Sequence, residues 1–128
     1  MKPAISIDFD GTLVDHEFPH IGALKPGAKE ALEALRHYGF WIIISSCRTS
    51  GMHREIFEQV PGQPPTERQY FKDMVKFLDD NQIPYDQVDD GSLGKVLANF
   101  YVDDKAVRFN DNWPQITQFI LGKLKPTP

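Results

Sequence analysis

Two acidic residues separated by one residue, Asp8 and Asp10, close a short isoleucine-rich segment that begins at Ala4. If this segment is a buried strand, its side chains alternate, and the two carboxylates point the same way. Carboxylates held together repel each other, and a bound divalent cation removes that repulsion. The alternative is an ordinary turn through Gly11 and Thr12, but a turn alone does not explain an acid inside an apolar strand.

A second pair of acids, Asp103 and Asp104, follows residues 99–102, which we predict to be another buried strand. If this strand neighbours the first one, three or four carboxylates converge at one edge of the sheet. The alternative is an acidic turn that ends the strand.

Hydroxyl and basic groups that could contact a phosphate occur at two further places. Ser45 ends the strand predicted over residues 40–45 and Ser46 follows it, at a position where a hydroxyl could donate to a phosphate oxygen or start a helix. Arg48 could assist that hydroxyl or form a structural ion pair. Lys95 could neutralise both a phosphate and an aspartate nucleophile, whereas an isolated lysine is usually a solvated surface charge. Lys105 is a weaker alternative to Lys95.

These segments resemble, in the same order, the four motifs of the haloacid dehalogenase-like hydrolase superfamily, and in particular its small capless phosphatase-type members. Residues 8–13 match the pattern Asp-x-Asp-Gly-Thr-[Leu/Val]. Residues 42–46 match an apolar strand that ends in Ser or Thr. Lys95 stands where the family has its lysine, and residues 100–104 match a strand that ends in Asp-Asp.

The resemblance implies catalytic roles for four residues. Asp8 would attack phosphorus and form an aspartyl-phosphate. Asp10 would protonate the leaving group and then activate the hydrolytic water. Ser46 would hold the phosphoryl oxygens, although the neighbouring Ser45 fits the motif with a shift of one position. Lys95 would stabilise the negative charges.

The resemblance also implies a metal ion and further contacts with the substrate. Mg²⁺ would be held by Asp8, by the backbone carbonyl of Asp10 and by Asp103 with support from Asp104, and which of the last two is the direct ligand stays open. The remaining contacts with the phosphorylated substrate would come from Gly11, Thr12 and Arg48.

The elements that must position these residues alternate between strands and helices. Two helices are predicted over residues 26–38 and about 51–60. A third begins at a capping box formed by Thr66 and Gln69, and a fourth begins at about Pro114. The last helix would bury Ile116, Phe119, Ile120 and Leu124. Residues 85–88 are a further strand candidate. This order predicts an α/β fold, a three-layer Rossmann-like parallel sheet with helices on both faces and ligands beyond the carboxyl ends of its strands.

The chain of 128 residues suits a single core domain over residues 1–128. The spacing of the motifs leaves room only for a short flap at residues 14–25 and not for a separate cap, and residues 125–128 should fray. The flap contains His16 and His20, which could touch substrate but are better explained as solvated loop residues. The single cysteine, Cys47, is expected to be a packed thiol and favours a cytoplasmic setting.

The function predicted is that of a magnesium-dependent phosphomonoester phosphatase. The alternatives are a catalytically silent binding or scaffold protein on the same fold and a phosphotransferase with an acceptor other than water. The net charge of −4 disfavours nucleic acid, and the longest apolar runs are too short to span a membrane. An uncapped site could be closed by a homo-oligomer.

Overall fold

The computed structural model describes residues 2–49, 68–92 and 94–126. Its strands are β1 (Ala4–Ile7), β2 (Trp41–Ile44), β3 (Gln87–Val88) and β4 (Phe100–Val102). The helices within these described ranges are α1 (Ala28–His37), α2 (Gln69–Asp80) and α3 (Trp113–Lys123), and a 3₁₀ turn spans Cys47–Thr49.

The four strands form one parallel sheet in the order β3-β2-β1-β4. The chain moves outward from β1 through β2 to β3 and then crosses back to the other side of β1. The strand order therefore reverses between β1 and β4, the place at which α/β sheets bind ligands. This architecture confirms the predicted α/β, Rossmann-like fold.

The register of the sheet decides which residues meet at that edge. Ile7 in β1 pairs with Ile44 in β2 and with Val102 in β4. The next backbone bonds continue both ladders, from Asp8 N–H to the Val102 carbonyl at 3.0 Å and from Ser45 N–H to the Ile7 carbonyl at 2.9 Å. The residues that follow the three strands therefore lie side by side.

The core lies on one face of the sheet. Alternating isoleucines of β1 and β2 point to this face, and helices α1 and α2 pack against them. Burying each of these large apolar side chains contributes about 1.5–3 kcal/mol, which holds the two central strands rigidly. The central members of the cluster are Ile5, Ile7, Ile42, Ile44, Leu32, Met74 and Leu78.

The end of the chain departs from the predicted burial. Strand β4 was predicted to be buried, but Phe100 is 56% exposed. In α3 Ile116 is buried, whereas Phe119, Ile120 and Leu124 are exposed, so the predicted buried stripe is wrong for those three. β4 lies at the edge of the described sheet and pairs there with β1 alone, which explains its exposure. For α3, the apolar stripe of the sequence predicts which side of the helix is apolar but not which element covers it.

Helix boundaries also differ from those predicted. Helix α2 begins at Gln69, so Gln69 is the first helical residue and not the third position of a capping box, and its side chain donates instead to Asp73 at 2.6 Å. Thr66 and the helix predicted over 51–60 lie outside the described residues. Because Met74 and Leu78 of α2 are part of the core, this helix belongs to the core layer and does not form a lid.

No helix in the described part of the chain has both the length and the apolar character needed to cross a membrane.

Candidate active site

Three carboxylates gather where β1 and β4 end. Asp8 directly follows β1, and Asp103 and Asp104 directly follow β4. One carboxylate oxygen from each lies within 4.8 Å of the others. Asp8 is half-buried while the two residues after β4 are exposed, so the group forms a negatively charged depression that is open on one side.

This crowding changes the acidity of Asp8. Burial, followed by the negative charges of Asp103 and Asp104 and a hydrogen bond shared with Asp104, raises the pKa of Asp8 to about 6. A hydrogen bond from the Phe9 backbone acts in the opposite direction. Among the described residues, no ion pair includes Asp8, Asp103 or Asp104, so none of the described basic side chains forms a salt bridge with the cluster.

The turn after β1 shapes the cluster through Gly11 and Thr12. Gly11 has φ +87°, and a Cβ there would collide with the Asp104 carboxylate, so a glycine is required for two reasons. The Thr12 hydroxyl donates to Asp8 Oδ2 at 3.3 Å. Gly11 and Thr12 were predicted to bind substrate. In the structure they contact the carboxylates: the missing side chain of Gly11 leaves space for the Asp104 carboxylate, and the Thr12 hydroxyl orients Asp8.

A small cavity of about 170 Å³ opens beside the cluster and is lined by Asp8, Asp103, Ser45 and Lys95 among others. The Lys95 ammonium lies 4.9 Å from the centroid of the Tyr101 ring, which contributes to the same cavity. Of the two candidate lysines, the structure brings Lys95 into the cavity. This arrangement places a cation and a hydroxyl across from the carboxylates.

The two candidate serines have different environments. Ser45 stands beside Asp8 in the register of the sheet and lines the cavity. Its hydroxyl reaches Asp89 Oδ2 only at 3.5 Å, a distance at which a hydrogen bond is weak. The Ser46 hydroxyl accepts the Arg48 backbone N–H at 3.1 Å and is not among the residues that line the cavity. The structure therefore brings Ser45, and not Ser46, to the candidate site.

Asp10 does not join the carboxylate cluster through its side chain. Arg48 donates from Nε to Asp10 Oδ2 and from Nη2 to Asp10 Oδ1, both at 2.8 Å. Arg48 is fully buried, so it presents no atom to a substrate. Of the two roles considered for Arg48, the geometry matches the structural ion pair and not the substrate contact.

Cys47 is exposed, so the expectation of a packed thiol is wrong. Partial burial, followed by the negative charge of Asp8, raises the pKa of the Cys47 thiol. A thiol with a raised pKa is a poor nucleophile near neutral pH. The histidines of the flap, His16 and His20, have exposed side chains, in agreement with solvated loop positions.

The carboxylate cluster fits a divalent cation by the chemistry of its donors. Asp8, Asp103 and Asp104 offer oxygen ligands, the type that Mg²⁺ prefers, and they repel one another without a cation. Both Asp103 and Asp104 reach the cluster. Lys95 stays apart, on the cavity side, where a bound anion would lie.

Two features of the site were missed by sequence reasoning. Asp89 lies beside Ser45. It directly follows β3, as Asp8 follows β1 and Asp103 follows β4, so the same reasoning from acids at strand ends could have identified it. The two-point bond between Arg48 and Asp10 spans 38 positions of the chain and has no local signal.

Comparison with known proteins supports the fold. Neither a protein-family model nor a curated protein matches this chain. The chain is similar to the solved structure of a conserved protein coded by a locus from Bacteroides thetaiotaomicron, with a TM-score of 0.62 and 23% sequence identity. The alignment covers 98% of this chain and 94% of that one. The two chains share a fold over almost their whole length.

Proposed function

We propose that this protein is a magnesium-dependent phosphohydrolase of the haloacid dehalogenase-like type, which cleaves phosphomonoesters in the cytoplasm through an aspartyl-phosphate on Asp8. One observation carries the proposal: a half-buried aspartate lies among carboxylates suited to a cation and opens onto a cavity that holds Lys95 and Ser45. Asp8 would thus have groups suited to an anion, Lys95 and Ser45, on one side and carboxylates suited to a cation, Asp103 and Asp104, on the other.

In the first step an oxygen of Asp8 forms a bond to phosphorus while the bond from phosphorus to the ester oxygen breaks. Asp10, a carboxylate paired with Arg48 in the resting protein, first takes up a proton from solvent and then gives it to the departing oxygen. In the second step the oxygen of a water molecule bonds to phosphorus, the bond to Asp8 breaks, and Asp10 takes the proton of the water. The proton that it gains in the second step returns to solvent. The products are an alcohol and inorganic phosphate, and the enzyme returns to its starting state.

The groups around Asp8 would do the remaining work. Thr12 holds Asp8 Oδ2 in one direction, which limits the orientations open to the nucleophile. Lys95 and Ser45 line the cavity where the phosphoryl oxygens would lie. Asp8, Asp103 and Asp104 would hold Mg²⁺, which stabilises negative charge on a transferring phosphoryl group when bound.

The size of the cavity limits what the site encloses. Its volume of about 170 Å³ is smaller than the roughly 300–1,000 Å³ of pockets that enclose drug-sized ligands. The cavity therefore suits a phosphoryl group and the first atoms beyond it, with the rest of the substrate outside. This favours a bulky or macromolecular phosphomonoester, or closure of the site by another copy of the chain.

The test is a hydrolysis screen over phosphomonoesters of different size in the presence of Mg²⁺, with the phosphorylated protein captured by acid quench and located by peptide mass spectrometry. We expect release of inorganic phosphate and a phosphoryl adduct on Asp8. The matched control is Asp73→Asn, which changes a half-buried carboxylate on α2 that belongs neither to the cluster nor to the cavity lining, and it should leave activity unchanged.

Three outcomes would separate the competing functions. Binding of phosphomonoesters with no turnover and no adduct would favour a silent binding protein. Transfer of the phosphoryl group to an added alcohol faster than to water would favour a phosphotransferase. An adduct on any residue other than Asp8 would overturn the proposed mechanism.

A further inference from the structure

Arg48 lies at the centre of a contact network that the proposed chemistry does not use directly. Its side chain is fully buried, and the carboxylate it binds, Asp10, is 12% exposed. Besides the two bonds to Asp10, the guanidinium donates to the backbone carbonyls of Pro19 at 3.4 Å, His20 at 3.2 Å and Tyr70 at 3.4 Å. The first two belong to the flap and the third to α2.

Aromatic rings complete the enclosure of this guanidinium. The centroid of the Phe9 ring lies 5.4 Å from the Arg48 Cζ atom, and that of Phe18 lies at 5.1 Å. Phe18 in turn meets the Tyr70 ring edge-on, with centroids 5.1 Å apart. Since water is excluded from both sides, the charge-assisted bonds between Arg48 and Asp10 are stronger than the same bonds at the surface.

The geometry of the pair restricts Asp10 in direction as well as in position. A guanidinium that donates two parallel N–H bonds aligns the plane of the carboxylate with its own plane. Each oxygen of Asp10 uses one lone pair for Arg48 and keeps another for a partner on the open side. The carboxylate is therefore held in one orientation relative to Arg48, and 12% of the Asp10 side chain stays exposed.

We propose that Arg48 is a positioning residue for Asp10, which holds the acid/base carboxylate in one orientation and ties it to the backbone of the flap at Pro19 and His20. The inference rests on the proposed function, since it assigns a partner to the residue that transfers protons there. Arg48 itself touches neither substrate nor metal, because it is completely enclosed.

The orientation of a proton-transfer group matters most for substrates whose leaving group needs that proton. A 4-nitrophenolate leaves readily without protonation, whereas an alkoxide does not. Arg48→Lys keeps the charge but loses the two-point contact. We therefore expect it to lower kcat for an alkyl phosphate by about 10²-fold or more, and kcat for 4-nitrophenyl phosphate much less.

A double-mutant cycle with Asp10→Asn is the decisive measurement. If Arg48 acts through Asp10, Arg48→Lys should have little further effect on kcat once Asp10 is replaced. Arg36→Lys is the matched control, because Arg36 also pairs with a carboxylate, that of Asp86 at 2.9 Å, outside the site. This control should lower neither rate.

Two results would overturn the inference: additive losses in the cycle, or equal losses for both substrates. If Arg48→Lys does not fold, Phe18→Leu replaces it, since it removes the ring packed against the guanidinium and so loosens the pair, while both Arg48 and Asp10 are retained. It should give the same preference for the better leaving group, and equal losses would again refute the proposal. Wild-type protein without phosphatase activity would refute the proposed function instead, so the two failures are distinguishable.

Discussion

The candidate site has two parts that treat negative charge in opposite ways. Asp10 is paired at two points with Arg48, deep in the protein. Asp8, Asp103 and Asp104 lie within 4.8 Å of one another and take part in none of the ion pairs within the described residues. Within the described residues, Arg48 supplies a cation for one carboxylate, whereas the other three have no such ion pair and, under the proposed function, would bind an external cation.

This difference implies that the two parts respond differently to mutation. A carboxylate with a buried partner contributes to stability, and its loss leaves the partner charge uncompensated. A carboxylate among like charges opposes folding until a cation binds. Arg48 compensates the charge of Asp10 within the fold, whereas the repulsion within the cluster would be relieved by the proposed metal ion.

The largest expected effect is that of Asp8→Asn. The amide closely matches the carboxylate in shape but cannot attack phosphorus, so turnover should fall to background while the fold is retained. Because one of three repelling charges is removed, the free energy of unfolding without metal should stay equal or rise. Phosphate release and thermal denaturation measure the two effects. Near-normal activity in this variant would refute the role of Asp8.

The second prediction concerns the cation. A chelator should abolish activity, and Mg²⁺ should restore it, whereas Ca²⁺ should substitute poorly because it prefers a looser coordination with more ligands. Mg²⁺ at 100 times its dissociation constant should stabilise the protein by about 2.7 kcal/mol. The variant Asp8→Asn should lose much of this stabilisation. Full activity in chelator would show that the cluster needs no metal.

Asp10→Asn should affect both activity and stability. It should slow formation and breakdown of the phosphorylated protein by about 10²–10⁴-fold, as expected for loss of an acid/base group. It should also destabilise the fold by up to about 3–5 kcal/mol, because Arg48 then stays buried without a counter-charge. Rapid-quench kinetics and urea denaturation measure these effects. The comparison fails if Asp10→Asn is as stable as Asp8→Asn.

The smallest effects are expected at the two serines, and they should differ in kind. Ser45→Ala should lower kcat/KM by about 10- to 10²-fold, the value of one hydrogen bond to a charged group. Ser46→Ala should mainly lower the free energy of unfolding, by about 1 kcal/mol, since its hydroxyl caps the turn at Arg48. If Ser46→Ala instead lowers kcat/KM and Ser45→Ala lowers only the free energy of unfolding, Ser46 and not Ser45 contacts the phosphate.

Much of the fold could be predicted from the sequence because its signals are local. The isoleucine runs of β1 and β2, and the apolar faces of α1 and α2, depend on residues a few positions apart. The acids at the ends of β1 and β4 were visible for the same reason, as was their convergence once the two strands were assumed to be neighbours.

Other features depend on how distant segments cross. The burial predicted for β4 and for Phe119, Ile120 and Leu124 was wrong because an apolar stripe does not specify its partner. The choice between Ser45 and Ser46 follows from the register of β1 against β2, in which a shift of one residue turns a side chain to the other face. The bond between Arg48 and Asp10 joins positions 38 apart.

The sequence alone was therefore sufficient to identify the carboxylates that follow the predicted strands, because an acid directly after an apolar segment is recognised from consecutive residues. Only the tertiary structure could show which of them has a cation of its own. That depends on a guanidinium brought beside Asp10 and enclosed by the flap, α2 and the rings of Phe9 and Phe18. Electrostatic energy depends on distance and burial, which a linear sequence does not contain.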